Sequence, residues 1–200
     1  RTTLLRPPTL MNAGLLQSAS ESNRSSQAQI RNDGRLLSGT TLTVNAPQYA
    51  GSGLVQASSL LFSVANATNS GTLLADTATL SGASLSNQAT VQAGDLAVNY
   101  DQLNNTGTVL GTALLNVKAN QVTQSSAGKL FSAGDLLLTS GGVDASGQLV
   151  ALKNLTLQLS NAFTGKAAIA AGSALNISSQ GAIDNQSTMQ GDAVPLKAGA

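Results

Sequence analysis

Large apolar, polar and small residues alternate with a period of two around a recurring corner in this chain. Asn32-Asp33-Gly34-Arg35-Leu36-Leu37-Ser38 returns as Asn69-Ser70-Gly71-Thr72-Leu73-Leu74-Ala75 and as Asn105-Thr106-Gly107-Thr108-Val109-Leu110-Gly111. With the Gly as reference, equivalent positions fall at Gly14, Gly34, Gly53, Gly71, Ala89, Gly107, Gly128, Gly147, Ala167 and Ser187, spaced by 18 to 21 residues. Two residues later every repeat has a large apolar side chain, from Leu16 and Leu36 to Ile169 and Met189. Four residues later all ten are small, from Ser18 to Gly191. Two residues before the reference, six of ten are Asn, and Ser126 occupies that place in the seventh repeat.

Period-two alternation marks a strand whose second and fourth residues point inward. A second inward pair follows, such as Leu60 and Phe62, Leu96 and Val98, or Leu136 and Leu138. Longer repeats shift that pair by one residue, which places part of the added length in a turn and leaves the core in phase. A third inward row lies four residues before the reference and includes Ile30, Tyr49, Leu85, Leu103 and Phe163, with Gln124 as its polar exception. Three short strands per repeat of about 19 residues, stacked on those of the next, predict an all-β, right-handed parallel β-helix of about ten turns. Such a rod is about 45–50 Å long. Gly and Asn are expected to turn the corner in left-handed backbone conformations, with Asn side chains hydrogen-bonded from coil to coil. Glu21 to Gln29 lacks the second apolar pair, so 1–29 is expected to be an irregular or frayed first turn and 30–198 the repeat array. A leucine-rich repeat is the structural rival, but only Leu152 to Asn161 approaches its pattern.

Composition narrows the function classes. The 200 residues carry a net charge of +1 and no Cys or His, and Leu, Ile, Val and Phe make up about a quarter of them, enough for a buried core. The charge is uneven: five bases and two acids lie at or before Arg35, three acids and no base in 36–117, and five bases and four acids thereafter. Nothing here favours nucleic acid, since five scattered aromatics and a balanced charge offer neither a stacking platform nor a basic stripe. No apolar run reaches the length of a membrane span. The opening Arg1-Thr2-Thr3 without Met reads as a piece of a longer chain.

Catalytic chemistry finds little to work with. Without His there is no Ser–His–Asp triad and no His-ligated metal. Phe163 to Ala168 contains a Gly-Lys but lacks the rest of a phosphate loop. Asp33, Asp95, Asp101 and Asp135 fall at different phases of the repeat, and Asp76 and Asp192 share one but lie six coils apart. Asp144 and Asp184 share a phase but lie two coils, about 10 Å, apart. No carboxylates converge as a β-helical polysaccharide lyase or hydrolase requires, so the segment is expected to be a non-enzyme without cofactor or metal. Five Asn-x-Ser/Thr sequons match what chance gives in an Asn-rich chain.

One outward row departs from the polar rule. Three residues after the reference stand Gln17, Gln56, Gln92 and Gln190, yet Leu110, Phe131, Val150 and Ala170 occupy it on four consecutive turns. Either a loop, the segment Asn120 to Ala127, covers this stripe, or it is a contact surface for a partner.

The Asn-x-Gly corner and its following strand, as at Asn69–Ala75 and Asn105–Gly111, resemble the haemagglutinin repeats of filamentous haemagglutinin and of contact-dependent growth inhibition exoproteins. The resemblance covers about residues 10–198. It implies the shaft of a secreted, surface-displayed exoprotein of a Gram-negative bacterium, exported by two-partner secretion through an outer-membrane transporter. Its partners would be flanking turns of the same chain and a target-cell receptor or glycan. The other reading is a carbohydrate-active β-helix or a glycan-binding module.

The phase of the rows makes a direct prediction. Leu73→Asp, inward, should cost about 3–5 kcal/mol in urea denaturation, whereas Leu74→Asp, one residue later and outward, should cost less than about 1 kcal/mol. Equal losses would refute the register.

Overall fold

The computed structural model describes residues 7–199. The described chain is strand and turn without a helix, wound into ten coils. Every strand pairing is parallel, each coil bonding to the one before and the one after. The first face carries Leu15–Ser18, Arg35–Ser38, Lys129–Ser132 and Gln148–Ala151. In the middle of the rod one long strand runs through a whole coil, as in Leu54–Asn69, Thr72–Asn87, Thr90–Asn105 and Thr108–Gln124. The observed fold is therefore the parallel β-solenoid of about 19 residues per turn that the alternation predicts.

The inward rows form one continuous core. Leu36, Val55, Leu73, Val91, Val109, Leu130 and Leu149 are stacked through the centre on the first face, all at most 1% exposed. Leu42, Leu60, Leu80, Leu96, Leu115, Leu136, Leu155 and Leu175 fill the second. The extra residues of the longer coils sit in corners. Val109 pairs with Val91 but Leu114 pairs with Asp95, so one residue is added between Gly111 and Leu114. Two more are taken up around Ser125, because Leu103 pairs with Val122 and Thr108 with Lys129.

That second insertion corrects the third row. Val122, fully buried, is the residue stacked between Leu103 and Val143, so the row has no polar exception there. Gln124 lies in the column of the corner Asn residues, where the spacing alone puts Ser126. The column is hydrogen-bonded in two runs, one on either side of Gly51: Asn12 donates to Asn32 at 2.8 Å, and Asn69 to Asn87, Asn87 to Asn105 and Asn105 to Gln124 at 2.9 Å each. Each amide nitrogen also donates to a backbone carbonyl opening the next coil, for example Asn87 to Thr108 and Gln124 to Gln148. Asn32, Asn69, Asn87 and Asn105 are wholly buried, so these bonds satisfy groups that water cannot reach.

The corner glycines act differently from expectation. No described residue has a positive φ, so left-handed conformations are not what turns the chain. A Cβ at Gly34, Gly53 or Gly71 would instead collide with the carbonyl oxygen of Gly14, Gly34 or Gly53 on the coil below. Close stacking of corner on corner selects Gly there, although Ala89, Ala167 and Ser187 show it is a preference rather than a necessity.

Two tyrosines use missing side chains. Gly51 interrupts the Asn column, and the hydroxyl of Tyr49 stands 2.9 Å from where its Cβ would be, beside Asn32 but without a hydrogen bond. Burial pushes the Tyr49 hydroxyl up to about 12. Its ring packs edge-on against Phe62 with centroids 5.0 Å apart. Tyr100 passes over Gly82, and its hydroxyl donates to the Val64 carbonyl two coils away at 2.9 Å. Burial raises this hydroxyl as well.

The first turn is regular in backbone. Thr9–Asn12, Leu15–Ser18 and Ser22–Ser25 are strands, and Ser22 and Arg24 pair with Leu42 and Val44; residues 1–6 lie outside the described part. Ladder bonds to the next coil order a segment whose side chains are too polar to supply core. The core is less covered at both ends of the rod: inward Leu10 and Leu16 are only partly buried in the first coil, and Leu196, which pairs with Ile177, is more than half exposed at the other end.

Asn87→Ala removes donors to Asn105 and Thr108 inside the stack and should cost about 2–4 kcal/mol. Asn104→Ala, at an exposed outward position, should change stability by less than about 0.5 kcal/mol. Denaturant midpoints of the two variants test this.

Candidate functional site

The outward row of the first face is aligned by the ladder itself. Leu110 pairs with Phe131, Phe131 with Val150 and Val150 with Ala170, so the four side chains stand side by side on successive coils. All four are partly exposed. Below them Gln17, Leu37, Gln56, Leu74 and Gln92 alternate amide and leucine, and above them Ala170 pairs with Gln190. Leu37 and Leu74 are thus also outward, but each is flanked by glutamines, and only at Leu110 does the row become continuously apolar.

The proposed covering loop does not form. The stretch 120–124 belongs to the strand Thr108–Gln124, held on the third face between 102–105 and 142–145. Only 125–128 makes a turn, closed by the Gly128 amide donating to the Ser125 carbonyl. The added length extends a ladder instead of lying over the first face, because paired backbone satisfies more hydrogen bonds than a loop laid on side chains.

The carboxylates are dispersed into surface bonds. Asp33 accepts from Arg31 at 2.6 Å and from the Ser52 hydroxyl at 3.0 Å, and these bonds, Arg31 first, hold its carboxyl below the usual value. Asp135 accepts from the Asn154 amide, Asp101 from Asn120 and Asp184 from Gln186. Asp144 takes Lys166 at 3.0 Å with both side chains about half exposed, so this lysine serves a surface ion pair. Among the described residues no three acids gather at a point suited to a cation.

One polar group escaped sequence reasoning. Asn116 lies between Ala97 and Leu137 on the second face, and its Oδ1 is buried without a partner. In the sequence Asn116 stands in an outward row that also holds Asn23, Asn176 and three threonines, so nothing marked it out.

The geometry defines a repeat protein: a solenoid with a continuous core and an amide column. The family model described as the haemagglutinin repeat matches residues 9–47 and 132–187. The chain is 44% identical over 194 residues to a tRNA nuclease CdiA of Escherichia coli strain STEC_O31, a match over 97% of this chain and 6% of that protein. It is 43% identical to a Toxin CdiA of Escherichia coli, over 96% of this chain and 6% of that protein. A Deoxyribonuclease CdiA of Dickeya dadantii strain 3937 is 35% identical over 82% of this chain and 5% of its own length. No solved structure matches. The chain belongs to the haemagglutinin-repeat family of filamentous haemagglutinin and contact-dependent growth inhibition exoproteins. It spans about one twentieth of the length of these relatives.

Phe131→Ser should lower stability by less than about 1 kcal/mol, because the side chain faces outward. Leu130→Ser, one residue earlier and wholly buried, should cost about 3 kcal/mol or more. Thermal melts of both variants distinguish an open stripe from a covered one.

Proposed function

We propose that this chain is a load-transmitting piece of the shaft of a long exoprotein displayed on a Gram-negative cell, holding a distal adhesive or toxic part away from the membrane. The observation that carries the reading is the unbroken solenoid in a chain whose haemagglutinin-repeat relatives are toxins some twenty times longer. The nuclease activities named for those relatives are theirs as whole proteins, and the segment here contributes reach instead of chemistry. Core rows less covered at both ends, with inward Leu10 and Leu16 partly exposed and Leu196 more than half exposed, fit further coils of the same chain stacking above and below. Export through an outer-membrane transporter of the two-partner type and contact with a target-cell receptor or glycan complete the reading. The stripe from Leu110 to Ala170 is its lateral contact surface.

Residues 72–107 form two complete 18-residue coils, bounded by the in-register pairs Leu54–Thr72 and Thr90–Thr108. Excising them from the full exoprotein should shorten its filament by about 10 Å while secretion and action on target cells persist. Excising 72–98, one and a half coils, should abolish display. A two-coil deletion that is secreted and filamentous but inactive would show that the segment does more than span distance.

A further inference from the structure

The coil from Gly14 to Asp33 carries an interruption that the coils after it lack. Its second-face strand, Ser22–Ser25, pairs Ser22 with Leu42 and Arg24 with Val44, so a hydroxyl and a guanidinium stand in the two inward rows of that face. On each of the next coils those places are apolar and buried, from Leu42 and Val44 through Leu60 and Phe62 to Leu175 and Ile177. Leu16 and Ile30 are left as the apolar inward residues of this coil. We propose that this coil is a built-in joint, which opens while the coils after it stay wound because its inward pair is polar.

Backbone bonds lost on opening are replaced by bonds to water, so resistance to opening comes chiefly from the apolar area that must be exposed. Unwinding 14–33 brings out Leu16 and Ile30. Unwinding the coil that starts at Gly53 brings out Val55, Ala57, Leu60, Phe62, Val64 and Ala67. Arg24 adds no compensating core, since a charge in an inward row has to reach water. Its stem carries the head outward, where Nη1 donates to the Asn23 carbonyl at 3.3 Å.

Hydrogen bonds close the coil. Leu15–Ser18 is laddered to Arg35–Ser38, Ser22–Ser25 to Leu42–Asn45, and the Ser26 hydroxyl donates to the Pro8 carbonyl at 2.7 Å. Such bonds restore the register on closing but yield more readily than a packed row, as local opening units do. The 20 residues of an open coil extend to about 66–72 Å, where a wound coil advances about 4.8 Å. A shaft under tension therefore gains slack here before an apolar coil unwinds. That use rests on the shaft reading above, whereas the weakness of the coil does not.

Amide hydrogen exchange of the 200-residue chain tests the joint apart from secretion and display. The Ser26 amide donates to the Asn45 carbonyl, and the Leu175 and Ile177 amides donate to the carbonyls of Ala193 and Pro195. Ser26 and Leu175 are equally far from their chain ends, so ordinary end fraying affects them alike. The protection factor of Ser26 should be about tenfold or more below those of Leu175 and Ile177. Ser22→Leu with Arg24→Val should remove most of that difference. Ser22→Leu alone should remove part of it, and outward Asn23→Leu none. Equal protection of Ser26 and Leu175 in the unaltered chain would overturn the joint. Low protection at Ser26 that persists when the inward pair is filled, or that Asn23→Leu corrects as well as Ser22→Leu does, would overturn the polar pair as its cause and the proposal with it.

Discussion

Parallel backbone pairing in fixed register is the constraint on which everything else in this rod depends. The backbone ladder of each coil pairs with the coil before and the coil after, so a residue type placed once creates a column that its neighbours must respect. Apolar columns produce a core without any long-range folding of the chain on itself. The Asn column is the polar counterpart: a buried amide is costly alone, but Asn87, Asn105 and Gln124 each supply the acceptor for the amide below.

Departures from the columns are compensated locally. Where Gly51 removes an amide, the ring of Tyr49 extends into the space, and where Gly82 leaves a gap, Tyr100 crosses it to bond two coils away. Insertions are absorbed in corners at Gly111–Leu114 and around Ser125, so the strands on either side keep their partners. A solenoid tolerates this because each coil has to match only its neighbours.

The same geometry explains why reactive groups do not gather. The acids are spread over different faces and corners, and those that bond do so within their own turn, as Asp184 does with Gln186, or to an adjacent one, as Asp33 does with Ser52. What the rod can offer is a flat row of side chains at a constant spacing, and the stretch from Leu110 to Ala170 is where such a row is apolar. Membership of the haemagglutinin-repeat family fits this regular stack of coils.

Sequence alone determined which side chains face inward, since period-two alternation around a repeated corner admits a single phase that buries Leu36, Leu73 or Leu149 and leaves Leu37, Leu74 or Val150 outside. It also made the apolar stripe visible, because a row is a property of spacing. Only the tertiary structure decided where inserted residues go. Counting back from Gly128 gave Gln124 to the core row, whereas pairing with Asn105 puts it in the amide column and Val122 in the core. The corner conformation was likewise illegible: Gly34 and Gly53 are suited to it by the carbonyl of the coil beneath them, a contact between residues some 19 apart in sequence. Local propensity could not distinguish that crowding from a left-handed turn, because both select glycine and only the neighbouring coil separates them.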